Sequence, residues 1–208
     1  MIMYTKDNIN GFNDQHRESS PQEIISFALQ LAERPVITTN FRPYEAAILH
    51  ACTSVKENIC TIWCDSGYNT EATYSHAQEL IDSLNLNISL YVPAQTAAYR
   101  TSIMGIPEIN DKRHALFTEQ VKLEPFKRAM AVHRPDVWFT NLRKGQTALR
   151  DSLDIFSLGK DGILKVSPFY HYTDKELDVY LEKNKLPNEF DYYDPTKVLA
   201  HRECGIHI

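Results

Sequence analysis

Apolar residues in this chain recur in two rhythms that alternate along its length. From Pro21 the positions Ile24, Ile25, Phe27, Ala28 and Leu31 fall at helical spacing, with proline placed where a first-turn N–H is not needed. A short apolar run, Val36 to Thr39, follows, closed by Asn-Phe-Arg-Pro and succeeded by a second helical pattern from about Tyr44 to Cys52. The theme repeats: Ile59 to Cys64 is β-rich and ends at Asp-Ser-Gly, Thr70 to Leu84 is helical, and Ile88 to Val92 is strand-like. Pro93 to Lys112 is weakly patterned. A helix over Leu123 to Val132 then leads into a fourth buried strand, Asp136 to Thr140. Asn141 to Leu153 reads as loop or short helix and Ile163 to Val166 as a fifth strand, while Thr173-Asp-Lys-Glu opens a capped helix running to about Lys185. Strands alternating with helices predict an α/β fold: an open, mostly parallel sheet of about five strands with helices on both faces.

The flanks lack either rhythm. Residues 1–20 are polar, Asn-rich and aperiodic, which predicts a mobile N-terminal arm before an α/β domain over 21–186. Residues 187–208 form a C-terminal tail that must dock on the sheet or stay mobile. The 208 residues leave room for one domain with a sizeable core. A net charge of -5 argues against a general nucleic-acid binder, so any anionic ligand has to be caught by a local cationic cluster. The seven glycines are too scattered for GxGxxG or GxxxxGK, which excludes the dinucleotide fingerprint and the Walker loop. With no apolar run near the length of a membrane span and no signal-peptide core, a cytoplasmic protein is expected. The four cysteines show no CxxC pair, and reduced thiols are expected.

In an open parallel sheet ligands bind beyond the carboxyl ends of the strands, so the residues after each strand are the candidates for chemistry. Thr38-Thr39-Asn40-Phe41-Arg42-Pro43 offers hydroxyls and an amide before a helix N-terminus and could cradle an anion; an ordinary helix start reads the same way. In Asp65-Ser66-Gly67-Tyr68 the Asp can accept from ribose hydroxyls and Gly67 permits close approach, though Asp-Ser-Gly is also a common turn. Cys60 and Cys64 share a strand face without further metal ligands, and with Cys52 they read as structural thiols. Across Leu142 to Arg150, helical spacing would put Arg143, Gln146 or Thr147, and Arg150 on one face, a fork suited to phosphate or sulfate; a solvated basic face is the alternative. Near the end, Cys204 sits among Arg202, His201 and His207, neighbours that favour a thiolate, and Gly205 leaves its sulfur open.

Taken in order, these segments resemble the phosphoadenylyl-sulfate (PAPS) reductases, thioredoxin-dependent members of the PP-loop, adenine nucleotide alpha hydrolase-like superfamily. The likeness runs from about Val36 to Val166 and resumes at Arg202. Thr38 to Phe41 is similar to the family's Ser-rich nucleotide loop, Asp65-Ser66-Gly67-Tyr68 to its Asp-Thr-Gly-Tyr turn, and Lys122-Leu-Glu-Pro-Phe-Lys-Arg128 to its Lys-Val-Glu-Pro segment. Trp138-Phe139 with Leu142-Arg143-Lys144 through Arg150 is similar to its Trp-Phe, Leu-Arg-Arg-Glu-Gln and closing Arg. Arg202-Glu203-Cys204-Gly205-Ile206-His207 differs from the family's terminal Arg-Glu-Cys-Gly-Leu-His by one methyl placement. Arg42 and Pro43 stand where the family usually has Gly, and its Ser-x-Gly-Asp-x-x-Thr-Thr element is reduced to Tyr192-Tyr193-Asp194-Pro195-Thr196-Lys197.

The resemblance implies a nucleotide-binding domain whose substrate contacts are Thr38, Thr39, Asn40, Phe41, Asp65, Ser66, Gly67, Lys122, Arg143, Lys144, Gln146 and Arg150. It implies a catalytic Cys204, supported by Arg202, Glu203 and His207, that takes the sulfonate group from PAPS as a cysteine S-sulfonate, from which a thiol of reduced thioredoxin or glutaredoxin frees sulfite. Iron–sulfur relatives carry a Cys-Cys pair and a Cys-x-x-Cys pair absent here, so no bound cluster or other metal is expected, and PAPS is preferred over adenylyl sulfate (APS). The alternatives are an APS-specific reductase, an adenylating PP-loop enzyme, or a degenerate nucleotide-binding module. A homodimer is compatible with the sequence, and neither nucleic acid nor membrane is an expected partner.

Overall fold

In the computed structural model, which describes residues 4–159 and 162–196, the strands form one sheet in the order β3-β2-β1-β4-β6-β5. Strands β1 (Pro35–Thr39), β2 (Cys60–Cys64), β3 (Asn87–Tyr91), β4 (Val137–Phe139) and β6 (Leu164–Val166) are mutually parallel. The α/β class and the parallel sheet are as the alternation predicts. The sixth strand is the addition: β5 (Phe156–Leu158) pairs antiparallel with β6 at one edge, and its three residues are too few to show a period.

Alternation along the strands divides the side chains between two layers. Val36, Ile62 and Trp138 face α7 (Glu124–His133), where Phe126, Ala129 and Met130 pack on them. Ile37, Val137 and Phe139 point the other way into the main core, which is closed by α2 (Pro21–Gln30), α3 (Glu45–Val55), α4 (Glu71–Ser83) and α9 (Asp174–Lys183). The chain runs outward from β1 through β2 to β3 and then returns to β4 on the opposite side of β1. The connections therefore part company between the ends of β1 and β4, the switch point where a crevice opens beyond the carboxyl ends of the strands.

The predicted mobile arm over 1–20 is corrected by the structure. Residues 6–16 form α1 (Lys6–His16), opened by a reciprocal Thr5/Asn8 capping box. Its apolar face is only Ile9 and Phe12, extended by the buried His16, too sparse among asparagines to register as a period. What fixes the helix is tertiary. Asn13 clamps the β5 backbone, donating to Phe156 O at 3.0 Å and accepting from Phe156 N at 2.8 Å, and Phe12 packs edge-on against Phe27 and Phe156. The clamp supplies β5 with partners on the side that β6 does not cover.

Between β3 and β4 the chain is more helical than its pattern suggests. It forms α5 (Ala97–Met104) and α6 (His114–Thr118), and a π-helical turn over Glu119–Leu123 then joins α6 to α7. One residue too many for an α-turn re-aims the side chains there, a device often found at functional sites, and the turn carries Lys122. A one-turn helix, α8 (Ala148–Asp151), is the regular part of the Asn141 to Leu153 segment. The first ten residues of the tail are docked: Tyr44 N–H donates to Asn188 Oδ1 (2.8 Å), and the hydroxyls of Thr70 and Thr73 donate to Asp191 O (2.7 and 2.8 Å). Among the described residues no helix is long and apolar enough to cross a membrane.

Candidate active site

The switch-point crevice is a cleft whose floor is Thr38, Thr39 and Ile62 and whose far bank is Thr140, Asn141 and Leu142 after β4. The β1–α3 turn forms one wall. Phe41 and Tyr44 both hold left-handed backbone there (φ 53° and 69°), a conformation that costs non-glycine residues on the order of 1–3 kcal/mol and persists where surroundings impose it. Those surroundings are built on Glu45, at the first turn of α3 and 5% exposed. Its carboxylate accepts from Thr39 Oγ1 (2.7 Å), Asn40 N–H (2.8 Å) and Arg42 Nε (3.0 Å). The Asn40 amide, turned to donate to both Glu45 oxygens (3.0 and 3.1 Å), accepts from Tyr192 Oη at 2.5 Å. The cradle that this turn could offer an anion is thus filled by a carboxylate of the chain itself.

The turn after β2 is a rigid neighbour. Asp65 Oδ1 accepts from Gly67 N–H (2.9 Å), Asn69 Nδ2 (2.9 Å) and Tyr74 Oη (3.0 Å), and burial together with the Asp65 charge pushes the Tyr74 hydroxyl up to about 12. Gly67 takes φ +79° with α5 against it, where an added Cβ would stand 3.3 Å from Ala97 Cβ. Ser66 and Asn69 face the cleft; Asp65 and Gly67 shape the turn behind them.

Besides Arg42, which is paired with Glu45, positive charge enters from two elements. The π-turn brings in Lys122, and the start of α8 brings in Arg150, 3% exposed, hydrogen-bonded through Nη1 to Gln146 Oε1 and held by Tyr170 Oη on its carbonyl at 2.8 Å. The fork expected from Arg143 and Arg150 together does not form. Arg143 turns toward α9, pairing with Asp174 at 2.6 Å and lying over the Tyr44 ring at 5.2 Å, because the segment before Thr147 is loop rather than helix. Lys144 is exposed, and Gln146 braces Arg150 and the Arg143 N–H. Phe41 is fully buried against Trp63, so its part in the loop is to pack it.

Asp194 closes the cleft from the tail. Its carboxylate lies 2.5 Å from Lys122 Nζ, with both side chains largely buried, and accepts from Thr196 N–H (3.0 Å) and Thr196 Oγ1 (2.6 Å). Burial alone would raise its pKa; the Lys122 charge and the Lys122 and Thr196 hydrogen bonds outweigh that and hold it below the ordinary carboxylate range. Cys64 also lines the cleft, but burial pushes its thiol up to about 12, and Cys52 is raised further in the core, so neither offers a thiolate at neutral pH. Arg202, Glu203, Cys204 and His207 lie outside the described residues. Among the described residues no group of three His, Cys, Asp or Glu converges to hold a metal ion.

Of the residues singled out in the sequence, the cleft brings together Thr38, Thr39, Asn40, Ser66, Lys122 and Arg150. Sequence reasoning passed over Glu45, Asn69, Thr140 and Asn141; the last two follow β4 directly and the strand-end rule reaches them.

Residues 34–190 match the model of the phosphoadenosine phosphosulfate reductase domain. The phosphoadenosine 5'-phosphosulfate reductase of Vibrio cholerae is 33% identical over 177 residues, covering 84% of this chain and 70% of the relative. The chain belongs to the phosphoadenosine phosphosulfate reductase family. It is accordingly an enzyme of the oxidoreductase type that this family represents, associated with sulfate assimilation. Among solved structures, a PAPS reductase from Candida auris in a phosphate complex superimposes with TM-score 0.79 at 22% identity, over 90% of each chain. The NH3-dependent NAD synthetase of Campylobacter jejuni matches at TM-score 0.53 and 12% identity, over 87% of this chain and 75% of its own. Both likenesses speak for the adenine nucleotide alpha hydrolase-like fold.

Proposed function

We infer that this enzyme reduces 3'-phosphoadenylyl sulfate to sulfite and adenosine 3',5'-bisphosphate with a dithiol protein of the thioredoxin class. The observation that carries the reading is the convergence of Lys122, Arg150 and the root of the tail on the switch-point cleft. Thr196, whose hydroxyl accepts from Lys122 Nζ at 3.4 Å, precedes Cys204 by eight residues, and an extended chain of that length reaches up to about 27 Å. That length of chain is enough for the Cys204 thiol to reach the cleft.

The chemistry follows from charge and softness. Cys204 thiolate attacks the sulfate sulfur, an S–S bond forms, and the S–O bond to the phosphate breaks with its electron pair leaving on the bisphosphate. Lys122 and Arg150 offset the repulsion between an anionic nucleophile and an anionic substrate. A thiolate of the reduced partner then attacks Cys204 Sγ, expelling sulfite and forming a mixed disulfide. Its second thiol closes the partner's own disulfide and restores Cys204, so two electrons from the partner account for the reduction of sulfur. The second thiol comes from a partner because the sequence places none beside Cys204, and the cleft cysteine is a buried, protonated thiol. The absence of Cys-Cys and Cys-x-x-Cys pairs supports a cluster-free enzyme.

One observation favours APS as the substrate instead. Glu45 fills the anion cradle of the β1–α3 turn, which leaves one anion site fewer for a nucleotide with two anionic ends. Sulfite release with reduced thioredoxin, compared for the two nucleotides, tests both readings. Turnover of PAPS at the higher kcat/KM supports the first, preference for APS supports the second, and release from neither contradicts both.

A further inference from the structure

The geometry points to Asp194 as a positioning residue that holds the cleft shut until an anionic group of the nucleotide replaces it on Lys122; this rests on the functional reading above. As it stands, the cleft has about 100 Å³ of free space, against the roughly 300–1,000 Å³ of small-molecule sites, and Tyr192, Tyr193 and Asp194 form part of its wall. A nucleotide enters only if that strap moves. Its other moorings include hydrogen bonds: Asn188 on the Tyr44 N–H, Asp191 O on Thr70 and Thr73, and Tyr192 on Asn40. Among the described residues the Asp194–Lys122 pair is the salt bridge that holds the strap, buried at both ends (side chains 10% and 14% exposed). A phosphate or sulfate arriving at Lys122 meets a carboxylate 2.5 Å from the same ammonium, and two anions in one buried site repel until one leaves. A neutral ligand exerts no such pressure.

Two measurements test this on the full chain. In calorimetry, Asp194→Asn removes the competing charge with little change of shape, and affinity for adenosine 3',5'-bisphosphate is expected to rise at least about tenfold, the gain for a latch open about one-tenth of the time together with loss of the competing anion, while affinity for adenosine rises by no more than the latch factor. In wild-type protein, hydrogen exchange at the Tyr44 amide, which donates to Asn188 on the strap, is expected to quicken on adding the bisphosphate. The second measurement stands even if the variant does not fold. Equal or weaker bisphosphate binding by a folded variant, or a Tyr44 amide that becomes better protected, overturns the inference. Failure of wild-type protein to bind the bisphosphate at all contradicts the functional reading, and the inference with it.

Discussion

Replacing Cys204 by serine is expected to lower sulfite release from PAPS by at least about 10³-fold in kcat, while adenosine 3',5'-bisphosphate still binds with wild-type affinity. A serine hydroxyl is not ionised at neutral pH and is a poor nucleophile toward sulfur, whereas thiolate is a good one. The separation of turnover from binding is the informative part. The contacts assigned to the nucleotide lie on β1, the π-turn and α8, remote in sequence from the substituted residue. Retained turnover would transfer the nucleophile to another thiol. Cys64 lies in the cleft, but with its pKa pushed up to about 12 it would need a different environment to serve.

Lys122→Met is expected to damage both stability and binding. Removing one partner of a buried ion pair leaves the other charge uncompensated, which costs about 3–5 kcal/mol and should appear as a lower urea midpoint. The pH dependence separates this from a general loss of packing. In wild-type protein the Asp194 pKa is depressed, so the pair's contribution is fully present above the unfolded carboxylate value of about 4 and is lost as pH falls through the lower folded value. Without Lys122 burial dominates and raises that pKa, so acidification through the same region should relieve the variant rather than destabilise it. Lys122→Met combined with Asp194→Leu should recover much of the stability and none of the nucleotide affinity. If the single variant unfolds at the wild-type urea concentration across this pH range, the pair is not structural.

Much of the architecture was legible because it rests on local rhythm. β1 through β3 with α3 and α4 lie within a few residues of the predicted boundaries, since each strand is a β-rich run and each helix a full apolar stripe. The failures share a cause: elements specified by distant contacts. α1 owes its place to Asn13 reaching the Phe156 backbone across 143 residues, and β5 owes its pairing to β6 and that clamp, neither of which leaves a local signal. In the site, Lys122 and Arg150 were found by motif. The orientation of Arg143 was not, because whether it faces the cleft or Asp174 depends on where α8 begins. Glu45 was hidden because a glutamate at the first turn of a helix has an ordinary explanation in the helix dipole, and only the turn geometry shows it collecting the loop's donors. The shortened element Tyr192 to Lys197 attracted notice in the sequence; that Asp194 reaches Lys122, 72 residues earlier, could be read only from the fold.

The most direct test of the central claim is intact-protein mass spectrometry of the wild-type enzyme mixed with PAPS in the absence of any reductant, followed by peptide mapping. The account predicts a gain equal to one SO3 group per chain, located on the peptide containing Cys204, and its removal as sulfite when reduced thioredoxin is added. No adduct under conditions where the bisphosphate binds, or an adduct on Cys60 or Cys64 instead, would contradict it.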